Sequence, residues 1–147
     1  MSNNQRTASI TFSARSNVSA ELKLDIKFDS VLVQSLTLTE QAQHYTWLFD
    51  DAPADHVLEI QLSNKLPHHT VLNHNGEIVQ DVMAEIYDVK LSGIDFTSAF
   101  YNQSLYTHNS NGWGKSVTTQ FFQTLGCNGT VLFAFTTPAW VWLMENV

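Results

Sequence analysis

The sequence predicts an all-β protein: an antiparallel β-sandwich or jelly roll of about eight or nine strands, with residues 1–147 forming a single domain. Three observations support this fold. Apolar and polar residues alternate along several segments, which is the period of a strand with one buried face. Turn-forming dipeptides recur at short intervals, as at Asn75-Gly76, Ser92-Gly93 and Asn128-Gly129. No segment has the apolar period of a long helix.

The first half of the chain supplies the clearest strands. Residues 18–28 alternate without exception, which places Leu22, Leu24 and Ile26 on the face toward the core. Because eleven residues exceed the usual strand length of five or six, we expect a bend or bulge within this segment. Further strands are predicted at residues 7–14, 31–39, 45–49 and 58–62.

The second half alternates strands with two long loops. Residues 64–75 have no clear period, which makes them the main candidate functional loop, and residues 102–115 form the second. Between these loops we predict a strand with Tyr87, Val89 and Leu91 on one face. Residues 117–125 fit either a strand or a short helix. Strands are also predicted at residues 131–135 and 139–144, the latter placing Trp140 and Trp142 on one core-facing side.

Composition and charge exclude some classes of partner. Only 14% of the residues are charged, a low share that is common where partners cover a protein, so we expect an assembly component or homo-oligomer. The net charge of −7 repels phosphate backbones, and no nucleic-acid partner is expected. The most apolar stretch, residues 131–144, is too short and too interrupted to span a membrane. The polar N-terminus lacks the apolar run of a secretory signal, so we expect synthesis in a reducing cytoplasm.

An acidic loop is the first candidate site. Asp50, Asp51 and Asp55 place three carboxylates within six residues, and calcium prefers several oxygen ligands on irregular backbone. A calcium site is therefore possible here. The spacing matches no defined calcium loop, and a solvated turn between two strands explains the same residues.

A histidine-rich loop is the second candidate. His68, His69, His74 and Asp81 could ligate zinc or another transition metal, although adjacent histidines on a strand point in opposite directions. Loop histidines that bond to backbone groups explain the pattern equally well.

Aromatic residues near the second long loop are the third candidate. Trp113, Tyr106, Tyr101 and His108 could stack on the apolar faces of sugar rings. The alternative is that these rings cover one end of the sandwich. We hold them as candidate ligand-binding residues.

The sequence contains no recognisable catalytic signature. Cys127 is the single cysteine and lies in a turn without a nucleophile pattern. Paired carboxylates could serve a glycosidase, but fourteen acidic residues on a β-sandwich offer such pairs by chance. We therefore expect a protein that is not an enzyme, with a hydrolase as the remaining alternative.

Several segments resemble small proteins of tailed bacteriophages, many from cyanobacterial and marine hosts. The resemblance rests on His56-Val-Leu-Glu-Ile-Gln-Leu-Ser-Asn-Lys65, Gly76-Glu-Ile-Val-Gln-Asp81, Glu85-Ile-Tyr-Asp-Val89, Gly93-Ile-Asp-Phe96, Cys127-Asn-Gly-Thr130 and Trp142-Leu-Met-Glu-Asn146. It implies a β-sandwich located on the virion. The general layout also resembles calcium-dependent carbohydrate-binding modules, although their ligand residues cannot be matched one by one.

Two functional hypotheses follow from these resemblances. The first is a virion structural protein, such as a capsid decoration or a tail, baseplate or fibre component, which contacts other virion proteins. The second is a carbohydrate-binding module that recognises host surface polysaccharide through Trp113, Tyr106 and the acidic loop, with calcium as a possible cofactor.

Overall fold

The chain folds into two antiparallel sheets that pack face to face, together with a separate hairpin. A computed structural model gives this fold and describes residues 7–18, 21–109 and 114–147. The five-stranded sheet contains β1 (Thr7–Ser16), β4 (Gln43–Asp50), β8 (Ala84–Leu91), β9 (Ile94–Asp95) and β12 (Thr124–Leu125). The six-stranded sheet contains β2 (Lys23–Phe28), β3 (Val31–Thr37), β5 (Ala54–Leu62), β10 (Ser104–His108), β11 (Val117–Gln120) and β13 (Gly129–Thr137). The hairpin contains β6 (Thr70–Leu72) and β7 (Ile78–Asp81).

The predicted antiparallel β-sandwich is confirmed. The strand order is β12–β8–β1–β4 in one sheet, with β9 against β8, and β11–β10–β13–β5–β2–β3 in the other. The described residues form thirteen strands rather than eight or nine, because several pairings of two to four residues leave no clear alternation in the sequence. No helix of the described chain is both long and apolar enough to cross a membrane.

The alternating segments place their apolar residues between the sheets, as predicted. Ala8, Ile10, Phe12 and Ala14 of β1 are buried, and so are Leu22, Leu24 and Ile26. The second of these strands begins only at Lys23, and its register against β3 shifts after Ile26, which is the expected irregularity. Residues 19 and 20 of the predicted strand lie outside the described residues.

The prediction that Tyr87 shares a face with Val89 and Leu91 is wrong, because β8 contains a bulge. Thr11 pairs with Lys90 and Ser13 pairs with Tyr87, so two steps on β1 match three on β8. Asp88 supplies the extra residue and has a positive φ of 51°. Ile86 and Val89 therefore face the core, and Tyr87 turns away from it.

The predicted last strand is instead a helix, α2 (Ala139–Asn146). Its buried residues Ala139, Trp142 and Leu143 follow the i, i+3, i+4 spacing of a helix, and Trp140 is therefore exposed. Trp142 packs edge-on against Phe133 of β13 at a centroid distance of 5.4 Å. The spacing of Trp140 and Trp142 therefore predicted a strand where the chain forms a helix.

A second helix, α1 (Thr97–Gln103), was not predicted. Its residue Phe100 packs against Phe133 and Phe121 in the core. The ambiguous segment 117–125 forms β11 and β12, separated by the buried Phe121 and by Gln123 at a φ of 62°. Both helices thus fill the space beside the inner face of β13.

Candidate functional site

The two ends of the sandwich carry different loops. Along the antiparallel pair of β5 and β13, Leu62 pairs with Gly129 at one end, and Ala54 pairs with Thr137 at the other. Eight residue steps along β13 separate these ends by about 27 Å. We call the first end the loop end. It contains segments 63–66, 107–109 and 126–129. The acidic loop lies at the opposite end.

At the loop end, the start of the 64–75 loop lies beside the turn that precedes β13. Asn128 of this turn joins the two, because its Oδ1 accepts from the Lys65 amide at 2.8 Å and its Nδ2 donates to the Lys65 carbonyl at 2.9 Å. The backbone of Cys127 is held in turn by the Tyr106 hydroxyl, which donates to its carbonyl and accepts from its amide at 2.9 Å. These bonds fix the loops relative to the sheets.

A cleft of about 510 Å³ lies at the loop end beneath the β6–β7 hairpin, and we call it the lysine cleft. This volume is typical of small-molecule sites. Its polar lining comes from Lys65, Thr70, Asp81 and Asn128, and its apolar lining comes from Leu66, Pro67, Leu72 and Ile78. The cleft therefore offers both hydrogen-bonding groups and apolar surface to a ligand.

The floor of the lysine cleft is built on a buried ion pair. The Lys65 side chain is 1% exposed, and its Nζ donates to Asp81 Oδ1 and to the Gly126 carbonyl, at 2.5 Å each. Thr70 donates its hydroxyl to the same Asp81 oxygen at 2.8 Å. A buried ammonium needs this set of acceptors, since an unpaired one would cost several kcal/mol.

A second depression adjoins the lysine cleft on the other side of Asn128, and we call it the polar groove. It has a volume of about 360 Å³. Its lining includes Gln61, Ser63, Thr107, His108, Asn109, Ser116 and Asn128. Amide, hydroxyl and imidazole groups dominate this lining, and none of these side chains carries a fixed charge.

The histidine-rich loop lies at the loop end but does not form the predicted metal site. No three of the described His, Cys, Asp and Glu side chains are grouped so that they could hold a metal ion. His69 Nδ1 instead accepts from the Leu66 amide at 2.9 Å and closes the turn of the 3-10 helix Pro67–His69. Burial and the neighbouring His68 and Lys65 lower the pKa of His69, which favours the neutral ring.

The predicted aromatic residues lie mostly in the packing of the fold. Tyr106 is only 7% exposed, and burial raises its pKa to about 12. Tyr101 is half-buried on α1 and donates its hydroxyl to the Ile86 carbonyl at 2.6 Å. His108 lines the polar groove and lies 4.8 Å from the Tyr106 ring between centroids. Trp113 lies outside the described residues.

The three carboxylates of the acidic loop do not converge. Asp50 Oδ1 accepts from the Ala52 amide at 2.9 Å, which closes a local turn. Asp51 Oδ1 accepts from the Ala139 amide at 2.7 Å and so anchors the start of α2. Asp55 is exposed on β5, opposite Thr136. The described side chains therefore do not fit the predicted three-carboxylate calcium site.

Sequence reasoning missed the two residues that organise the loop end. From the sequence, Lys65 stands out only as the end of a segment resembling phage proteins, and its partner Asp81, sixteen residues further along the chain, only as a candidate metal ligand. Asn128 was interpreted only as part of a turn. Lys65 lies three residues after the end of β5, and its sequence position gives no sign that the side chain is buried.

Comparisons with known proteins identify the fold but no family. No protein-family model matches the chain, and no curated protein matches it. Among solved structures, vCBM60 in complex with galactobiose is similar, with 22% identity, a TM-score of 0.54, and coverage of 85% of this chain and 96% of that one.

A selenomethionine form of vCBM60 is also similar, at 20% identity and a TM-score of 0.54, over 86% of this chain and 89% of that one. It comes from work that links two families of calcium-dependent carbohydrate binding modules by circular permutation. At these identities the comparison establishes a shared β-sandwich fold. The predicted likeness to carbohydrate-binding modules is thus confirmed for the fold, and these comparisons give no support to the resemblance to phage proteins.

Proposed function

We propose that the protein is a non-catalytic carbohydrate-binding module that recognises a glycan at the loop end. The observation that carries this proposal is the shared fold with a module bound to galactobiose, which spans nearly the whole of that module. Fold alone does not determine function, so the chemistry of the loop end must also suit a sugar.

The lining of the loop end supports recognition of a sugar. Sugars present many hydroxyl groups around rings whose C–H faces are apolar. The polar groove offers amide and hydroxyl partners from Gln61, Ser63 and Thr107, and the lysine cleft adds the apolar side chains of Leu72 and Ile78. A few placed polar groups beside apolar surface are typical of small-ligand sites.

Calcium is not part of the proposed contact. The similar modules belong to calcium-dependent families, but no three of the described His, Cys, Asp and Glu side chains of this chain are grouped to hold an ion. The acidic loop also lies at the end of the sandwich away from both depressions. We therefore expect glycan binding that survives a chelator.

A glycan array tests the proposed function. The protein is applied in calcium and, separately, in EDTA, and we expect a defined set of glycans to bind in both. The absence of binding in both conditions would refute a carbohydrate-binding role. Binding that EDTA abolishes would retain the role but contradict the calcium-independent contact.

NMR titration with a bound glycan then locates the contact. Amide shifts are expected in segments 61–66, 107–109 and 126–129, while residues 50–55 serve as the internal control. Shifts confined to residues 50–55 would move the site to the acidic loop and contradict the assignment to the loop end.

A place on the virion is a second proposal, favoured by one exposed strand edge. Val31, Leu32 and Val33 of β3 are exposed at the free edge of the six-stranded sheet, where an assembly contact could form. A virion protein can also bind a host glycan, so the two roles are compatible. Immunogold labelling of purified particles tests this location, and particles without label would exclude it.

A further inference from the structure

We propose that the lysine cleft holds one neutral sugar unit, with a sugar hydroxyl bound to Oδ2 of Asp81 and an apolar sugar face against Leu72 and Ile78. This inference rests on the proposed carbohydrate-binding function and names its ligand class. Three features of the cleft lead to it.

The first feature is a cation that is already neutralised. Lys65 Nζ donates to Asp81 Oδ1 and to the Gly126 carbonyl, and its side chain is almost fully buried. Its charge is therefore compensated within the protein and does not form an open anion site. A ligand carboxylate would have to compete with Asp81 for this ammonium.

The second feature is a carboxylate oxygen with no donor from the described residues. Lys65 and Thr70 both donate to Oδ1 of Asp81, and no described residue donates to Oδ2. Asp81 lines the cleft, and its side chain is 25% exposed. An ionised carboxylate only accepts hydrogen bonds, so Oδ2 suits a ligand hydroxyl and repels a ligand carboxylate or sulfate.

The third feature is a pair of exposed apolar side chains on the hairpin. Leu72 of β6 and Ile78 of β7 are register partners, so their side chains lie on the same face of the hairpin. Both side chains are more than half exposed, and both line the lysine cleft. Together they provide a small apolar surface opposite the polar floor, which matches the two kinds of surface of a sugar ring.

The charge of the whole chain favours the same ligand class. The net charge of −7 disfavours the approach of acidic glycans, and the more exposed member of the ion pair in the cleft is itself a carboxylate. The combination selects neutral hexoses or pentoses over uronic acids, sialic acids and sulfated sugars.

The test uses two serine variants and a matched control. Leu72→Ser and Ile78→Ser remove the apolar surface at exposed positions, where folding is little affected. Each is expected to weaken binding of the best neutral glycan from the array by roughly tenfold or more, as measured by calorimetry. Val79→Ser is the control, because Val79 is equally exposed on the same strand but does not line the cleft.

A third variant examines the acceptor oxygen. Asp81→Asn keeps the shape of the side chain and is expected to weaken neutral-glycan binding. It also removes the counter-charge of a buried ammonium, so its melting temperature is measured in parallel. If the variant unfolds, the serine variants alone decide the question.

The outcomes separate this inference from the proposed function. If no glycan binds the wild-type chain, both are refuted. If a neutral glycan binds and the two serine variants bind as tightly as Val79→Ser, the lysine cleft is not the subsite, while the carbohydrate-binding function remains. A preference for acidic glycans on the array would overturn the neutral-sugar inference in the same way.

Discussion

At the scale of single residues, three asparagine side chains hold the loop end in place. Asn17 donates to the Asp81 carbonyl and accepts from the Met83 amide, both at 2.8 Å. Asn64 likewise joins Glu21 and Lys23, and Asn128 clamps Lys65. An amide side chain both donates and accepts, so it can satisfy backbone groups of a loop that no sheet reaches. The loop end is therefore preorganised.

Gly129 is a residue for which the structure leaves no space for a side chain. A Cβ at this position would lie 2.3 Å from the Thr107 carbonyl oxygen and 2.8 Å from His108 Cβ. We expect Gly129→Ala to lower the free energy of unfolding by about 2 kcal/mol, since the strands must separate locally.

Thermal denaturation measures this effect as a fall of several degrees in melting temperature. Gly114→Ala is the matched control, because a Cβ there meets nothing within 4 Å. Equal melting temperatures for the two variants would show that β10 and β13 are less closely packed than described.

At the scale of elements, long strands were predictable and short or irregular elements were not. β1 and β5 bury every second residue over most of their length, so their alternation specified both the strand and its facing. α2 has only eight residues, and Trp140 and Trp142 imitate a strand over that length. The bulge at Asp88 has no signature in the sequence, because aspartate also occurs on the exposed faces of strands.

The site was predictable only in part, for a related physical reason. The loop 64–75 was found because it lacks a period, and the structure brings its start beside the turn before β13. The predicted loop 102–115 is wrong in part, because residues 104–108 form β10 between β11 and β13. The pairing of Lys65 with Asp81 depends on the fold of the intervening hairpin, which no local pattern encodes. The position of the acidic loop at the opposite end of the sandwich follows only from the register of β5 against β13, which the sequence does not reveal.

The helix α2 gives a prediction at this scale, because its first amide is bound by a side chain from the acidic loop. Asp51→Ala removes the acceptor of the Ala139 amide and is expected to destabilise the fold by about 1 kcal/mol, as loss of a helix cap does. Differential scanning calorimetry in calcium and in EDTA measures it.

Asp55→Ala is the control, as an exposed carboxylate from the same loop. We expect Asp51→Ala to lower the melting temperature equally in both buffers, and Asp55→Ala to leave it almost unchanged. Destabilisation of both variants in calcium alone would instead indicate that the acidic loop binds the ion.

At the scale of the whole molecule, the two sheets end in edges of different character. β3 borders the six-stranded sheet, contains no charged residue or proline, and exposes Val31, Leu32 and Val33. β4 borders the five-stranded sheet, and its Tyr45, Trp47 and Phe49 pack against the core. Exposed apolar edges without charges favour strand addition. β3 is thus better suited than β4 to contact a second copy.

The predicted oligomer can be tested at this edge. We expect concentration-dependent self-association of the wild-type chain, strengthened by salt because added ions screen the net charge of −7. Val33→Lys should weaken it, as measured by sedimentation velocity, because a lysine at an edge opposes strand addition. Leu48→Lys, at an exposed position of β4, is the control. A chain that stays monomeric throughout would contradict this prediction.

The β6–β7 hairpin forms its own two-stranded sheet outside the sandwich, joined to it mainly at its base. Asp81 bonds there to Lys65, and Asn17 bonds to the Asp81 backbone. Residues 71–80 beyond this base contribute no buried side chain to the core. Their sequence can therefore diversify, or be transplanted between related sandwiches, at little cost to folding. Because Leu72 and Ile78 form the proposed sugar contact, this contact can change while the packing of the core stays the same. Such a separation would allow new recognition to evolve on an unchanged scaffold.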